Sequence, residues 1–153
     1  GFMASDETLA RMVDTGTFLV STSALTENWD ISNQPKALQA KAAEIFPRAK
    51  ASLSNAIEAG VKIALGTDAP AIWHGRNAEE LEVLVKRGMT PLQAIRAATT
   101  VAADLIDRPD LGRVAPDKLA DIIGVTGDPL ADISTFRKVP FVMKDGKVFQ
   151  NKS

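Results

Sequence analysis

Gly60-Val61-Lys62-Ile63-Ala64-Leu65-Gly66-Thr67-Asp68 is the stretch on which the reading of the fold turns. Val61 to Leu65 is a short, mostly apolar run with a glycine on either side, and that length with those flanks predicts a buried strand. Gly66 permits a sharp turn or a close backbone approach, and the carboxylate of Asp68 follows at once. Upstream, Pro35 to Ala59 is rich in Ala, Lys and Leu. Leu53, Ala56 and Ile57 give it an apolar face, so it reads as a helix closed by Gly60. Pro47 lies inside this helix and is expected to kink it or to restart it as a first helical residue.

The same order of elements occurs once before. Ser5 is a candidate N-cap followed by acidic Asp6 and Glu7, and Leu9, Met12 and Val13 recur at helical spacing up to Gly16. Phe18 to Val20 then forms a second buried strand that runs into Ser21-Thr22-Ser23, and Glu27 to Gln34 reads as a loop. Downstream of Asp68 a loop carries Pro70, Trp73, His74 and Gly75. Asn77 with Glu80 suggests a capping-box variant opening a helix to Arg87, and Thr90-Pro91-Leu92-Gln93 is a fuller box with proline at the first helical position. Leu92, Ile95, Ala98, Ala102 and Leu105 fall on one stripe of that helix. Beyond Asp107 the texture changes to short strands, at Asp121 to Val125, Pro140 to Met143 and Lys147 to Gln150. Asp145-Gly146 is a two-residue hairpin turn between the last two.

Strands alternating with helices imply parallel strands joined by right-handed crossovers, an α/β fold. Two parallel strands are too few to close a barrel or to make a stable open sheet. The chain opens with Gly1-Phe2-Met3, and a helix follows almost at once. The expectation is that further N-terminal structure precedes this sequence and that any targeting segment lies there. The compartment is therefore not fixed, with the cytoplasm as the working assumption.

Asp68 is the leading candidate for chemistry, because α/β active sites form at the carboxyl ends of parallel strands. A carboxylate there can bind a metal and take a proton from a metal-bound water; equally, it can cap the following turn. His74, the only histidine, sits in the loop after Asp68 and reads either as a substrate contact or as an ordinary loop residue. Thr22 ends the earlier strand at the same mouth, or merely satisfies backbone groups there. Arg76 can meet a substrate carboxylate, or form an ion pair at a helix start. Trp73 can wall a pocket or pack. One histidine and one aspartate do not complete a zinc site, which takes at least three protein ligands.

The segment ending in Gly66-Thr67-Asp68 resembles the eighth strand of the amidohydrolase superfamily, in its imidazolonepropionase-like and Xaa-Pro dipeptidase-like branch. The resemblance continues through His74-Gly75-Arg76-Asn77-Ala78-Glu79-Glu80-Leu81 and Gly88-Met89-Thr90-Pro91-Leu92-Gln93-Ala94-Ile95 to Ala97-Ala98-Thr99. Gly112-Arg113-Val114, Lys118, Ala120-Asp121 and Gly127-Asp128-Pro129-Leu130 are similar to the stretch that returns to a small β-sandwich. Val142-Met143-Lys144-Asp145-Gly146-Lys147 is similar to the closing hairpin, and Gly1 to Met12 to the segment after a metal-binding histidine of the sixth strand.

The resemblance implies the last two strand–helix units of a (β/α)8 TIM barrel at residues 1–107. Residues 108–153 would be the return segment and the C-terminal strands of the β-sandwich. It also implies hydrolysis of a non-ester carbon–nitrogen bond, in a dipeptide or cyclic amide, with one or two divalent metals, zinc first. Asp68 would be metal ligand and general base, while His74, Thr22 and Arg76 stay candidates for substrate contact on their positions alone. The family's other ligands, a His-x-His pair and further histidines, are absent from this sequence, so the 153 residues alone are expected to be inactive.

The 153 residues suffice for one domain with a core. A formal net charge of -1 with 24% charged residues gives no electrostatic reason for a nucleic-acid partner. No apolar run approaches the roughly 20 residues of a membrane span. With no cysteine, disulfides and thiolate metal sites are excluded. Two other readings remain: a non-catalytic, partner-dependent module, and an unrelated doubly wound binding domain. The β-rich tail and the lack of a phosphate loop weigh against the second. Exposed apolar surface on the two strands, and hence self-association, is expected of the isolated chain.

Overall fold

In the computed structural model, which describes residues 3–152, Phe18–Ser21 (β1) and Lys62–Leu65 (β2) lie side by side as a parallel pair. Phe18 pairs with Lys62 and Ser21 with Leu65, so both carboxyl ends finish level. Period-two alternation puts Leu19, Ser21, Ile63 and Leu65 on one face. Leu19, Ile63 and Leu65 join the main core, while Val20, on the other face, is 49% exposed. Apolar exposure was expected on both strands, but in β2 Ile63 and Ala64 are buried and Val20 of β1 alone is open. Among the described residues neither strand pairs along its outer edge.

The helices form for local reasons that the sequence displays. Asp6–Thr15 (α1) is capped by the Ser5 side chain, which accepts from the Thr8 amide, and ends at Gly16 with φ +67°. A five-residue helix, Ala24–Asn28 (α2), follows β1 where a loop was expected from Glu27 onward. Lys36–Glu58 (α3) is one helix through Pro47, neither ended nor restarted there. The proline ring removes the hydrogen bond to the Ala43 carbonyl, and both residues lie on the solvent face, where water replaces it. Glu79–Lys86 (α4) follows the loop after β2. The continuous helix expected from Pro91 is divided at Thr99 (φ −125°, ψ −90°) into Pro91–Ala98 (α5) and Thr100–Leu105 (α6). The complete Thr90/Gln93 capping box opens α5.

The expected apolar stripe of this region is packed only in part: Ile95 lies against the core, but the stripe is not the most deeply buried face. Leu92 and Leu105 are 44% and 38% exposed, whereas Ala94, Ala97 and Ala103 are buried. Small side chains let these helices approach β2 and α4 closely, and Leu84, fully buried, fills the centre together with Leu81 and Ile63.

Ile122–Gly124 (β3), Phe141–Lys144 (β4) and Lys147–Asn151 (β5) form a separate antiparallel sheet in that order. Asp145 and Gly146 both take positive φ (50° and 72°), as a type I′ hairpin turn requires. A register shift at Val142/Met143 marks a bulge in the hairpin. The 3-10 turn Ile133–Arg137 joins this region to the rest: Ile133 and Phe136 enter the main core, and Arg137 pairs with Glu82 of α4 at 2.5 Å. Among the described residues no helix is long and apolar enough to cross a membrane.

Glu27 of α2 ties three helices together. Its carboxylate meets Lys50 of α3 at 3.2 Å, Arg87 at 2.5 Å and Lys86 of α4. Burial alone would raise its pKa, but the hydrogen bonds from Lys86, Lys50 and Arg87 overcome burial and hold it at about 2, against an ordinary 4.5. Between those values the unfolded chain binds a proton that the folded chain does not, so stability rises with pH through the window. The cluster's contribution is full above pH 4.5 and is lost as the pH falls toward 2. Acid titration of the unfolding midpoint is expected to be shallower over this range in Glu27→Gln than in the parent sequence; identical slopes would count against the cluster.

Candidate active site

At the level carboxyl ends of β1 and β2 the two strands come unusually close. The Gly66 amide donates to the Ser21 carbonyl at 2.7 Å. A Cβ at Gly66 would stand 2.8 Å from Val20 Cγ1, 3.1 Å from the Ser21 carbonyl oxygen and 3.1 Å from Thr22 Cγ2. Any side chain there would push the strands apart, so the glycine is required by proximity. Thr22 is thereby brought beside the Gly66-Thr67-Asp68 turn, at the same end of the sheet as Asp68.

Asp68 adopts φ +55°, a left-handed conformation that Asp and Asn tolerate better than most residues. Its carbonyl accepts from Ala71 N at 2.8 Å, closing the turn through the backbone. The carboxylate is exposed, and no described residue engages it in a hydrogen bond or ion pair. The side chain therefore caps nothing here. The loop beyond is anchored by Ile72, 6% exposed and part of the core, while Trp73 (78% exposed), His74 and Gly75 stand out in solvent.

Arg76 donates from Nε and Nη2 to the two carboxylate oxygens of Glu79, at 2.6 and 2.8 Å, a bidentate pair at the start of α4. The hydrogen bond from Arg76 lowers the Glu79 pKa, and Asn28 Nδ2 adds another donor at 2.7 Å. A cleft of about 350 Å³ lies between α2 and this loop, lined in part by Trp29, Asp30, Trp73 and Arg76. A second, of about 200 Å³, runs beside Val20, Thr22, Ser23, Thr26 and Ser52.

One residue of this corner escaped the sequence reading. The Asn77/Glu80 capping box does not form: the N-cap of α4 is Ala78, without a side-chain cap. Glu80 instead turns inward, fully buried, and accepts from the Ser21 hydroxyl, from Ser23 N at 2.9 Å and from Ala24 N at 2.6 Å. Three donors at one spot offer the carboxylate more than its own helix terminus does. In the sequence it is simply one of three acidic residues in a first helical turn, which the helix dipole favours anyway.

Among the described residues no three His, Cys, Asp or Glu side chains gather where they could hold a metal. Asp68, with no competing partner, fits one ligand position and no more.

Parallel strands with a free carboxylate at their carboxyl end define an α/β protein of the kind that carries its chemistry at strand ends. The comparisons narrow this class. The chain belongs to the amidohydrolase family, whose profile matches residues 2–149. It is 37% identical to ochratoxinase of Aspergillus niger, over 96% of this chain and 32% of that one. An uncharacterized protein of Mycobacterium tuberculosis is 32% identical over 95% of this chain and 40% of its own length. Among solved structures, a Xaa-Pro dipeptidase with methionine bound in its active site superposes with a TM-score of 0.90 at 37% identity, covering 99% of this chain and 39% of that one. The chain thus spans about a third of ochratoxinase and two fifths of the dipeptidase.

Proposed function

We propose that these residues form the closing two strand–helix units of a (β/α)8 barrel, with residues 108–153 adding strands to a small β-sandwich, in a metal-dependent hydrolase of amide bonds. The observation that carries this reading is the unengaged Asp68 carboxylate at the carboxyl end of β2, in a chain that matches the amidohydrolase family almost throughout. The open outer edges of β1 and β2 suit strands that continue a barrel on either side. The dipeptidase among the relatives points to dipeptides or similar small amides as substrates.

Asp68 would hold a divalent ion, zinc first, as one of several ligands, the others coming from the rest of the protein. Such an ion, when bound, polarises the scissile carbonyl and lowers the pKa of water. Asp68 would take the proton of the attacking water and return it to the leaving amine. Thr22 and His74 would contact the substrate. Arg76, with Nε and Nη2 committed to Glu79, keeps Nη1 for a substrate carboxylate. The 153 residues alone supply one ligand and are proposed to be inactive without the remaining strands, and prone to self-association through the two open edges.

The test is a panel of Xaa-Pro dipeptides, other dipeptides and N-acyl amino acids offered to the full-length protein before and after chelation. Hydrolysis of at least one class is expected, with loss on chelation and recovery on adding zinc. Full activity in protein shown to be metal-free would overturn the metal dependence, and silence across the panel would overturn the substrate class.

A further inference from the structure

We infer that Glu80 is a positioning residue of this site: it clamps the loop that carries Asp68, His74 and Arg76 onto the end of the neighbouring strand. The inference rests on the functional reading above. Residues 66–80 leave β2 and re-enter the fold at α4, and both ends of that stretch are fastened to Ser21. At one end the Gly66 amide donates to the Ser21 carbonyl at 2.7 Å; at the other the Ser21 hydroxyl donates to Glu80. The carboxylate of Glu80 also takes Ser23 N and Ala24 N, so it holds the residues on either side of Thr22. Glu79 repeats the arrangement one residue earlier, joining Arg76 of the loop to Asn28 at the far end of α2.

A fully buried carboxylate with no cation among the described residues is a costly choice for mere packing. Three converging donors offset that cost, and what they fix in return is geometry: the spacing between Thr22 and the Asp68 turn. Glu80 touches neither substrate nor metal in this arrangement; it acts through Ser21, Ser23 and Ala24. A loop clamped at both ends holds its carboxylate in one place, and a displacement of about 1 Å at a reacting group can cost about 100-fold in rate.

The experiment compares Glu80→Gln with the wild type in the full-length protein. Glutamine keeps the shape but turns one acceptor into a donor, which must then face an N–H or the serine hydroxyl. We expect kcat to fall about 10- to 100-fold with KM changed much less, and the affinity for added zinc, measured by titration calorimetry, to weaken by about tenfold or more. Ser21→Ala, which deletes only the hydroxyl donor, should give a smaller fall of the same kind and serves if Glu80→Gln does not fold. Glu27→Gln, which cuts α2 from its other anchor, should lower the melting temperature while leaving kcat unchanged. Unaltered kcat in Glu80→Gln, or an equal fall in Glu27→Gln, would overturn the positioning role and leave a structural one. If the wild type hydrolyses nothing on the panel, the functional reading fails by itself. The zinc titration then decides for Glu80: unchanged affinity in both Glu80→Gln and Ser21→Ala overturns the inference, and weakened affinity supports it.

Discussion

Asp68→Asn in the full-length protein is expected to lower turnover by at least about a thousandfold while leaving the fold intact. Both halves of that expectation come from the local geometry. Asparagine is nearly isosteric with aspartate and shares its tolerance of the left-handed region, so the φ of +55° at this position adds no strain. The turn is closed by the Asp68 carbonyl, which the substitution does not touch. No described residue depends on the carboxylate, so removing its charge breaks no ion pair. The melting temperature of metal-free protein should therefore stay within about a degree or two.

The loss of function has two sources that add. A positioned general base is worth about 100- to 10,000-fold, and an amide oxygen is also a poorer metal ligand than a carboxylate. Zinc content should fall along with turnover. Measuring kcat, bound zinc and melting temperature together separates the outcomes. Turnover near that of the wild type would remove Asp68 from the mechanism, whatever the zinc content. A large drop in melting temperature without zinc would show that the carboxylate holds the fold together, contrary to its lack of partners.

What could be read from the sequence divides along a physical line. The elements with local causes were legible: the Ser5 cap and Gly16 end of α1, the Thr90/Gln93 box opening α5, the Asp145-Gly146 turn, and the two short strands that each follow a helix-ending glycine. Asp68 was legible as a candidate because its place after a buried strand is itself a local pattern. Features that depend on distant partners were not. Helix α2 has no side-chain cap of its own; its first amide is satisfied by Glu80, 56 residues away. Glu80 was misassigned to a capping box because its true partners belong to another strand–helix unit. Pro47 looked like a breaker because the pattern does not say that Ala43 and Pro47 both face water. The ion pair of Arg76 with Glu79, only three residues away, is a local contact that the position of Arg76 at a helix start allows.

The face of the helices after α4 is the case where sequence and structure make opposite quantitative forecasts. By periodicity, Leu92 belongs to an apolar stripe and its truncation should be costly. By packing, the cost belongs to Leu84. Leu84 is fully buried in the core that also holds Ile63, Leu81 and Ala94, and nothing short of repacking two helices could fill the space its side chain occupies. Leu84→Ala is accordingly expected to destabilise by about 3 to 4 kcal/mol, the transfer of the removed methyl groups plus the cavity they leave. Leu92, 44% exposed on the first turn of α5, retains much of its contact with water when folded. Its truncation removes little buried area, in a helix whose start is already held by the Thr90/Gln93 box, and alanine is the better helix former. The expected cost of Leu92→Ala is below about 1 kcal/mol. Denaturant unfolding of the two variants in the full-length protein, with equal m-values as the check that the transition is the same, measures both. Equal losses, or a larger one for Leu92→Ala, would mean that the stripe read from the sequence is the packed face and that α5 is rotated from its place against β2 and α4.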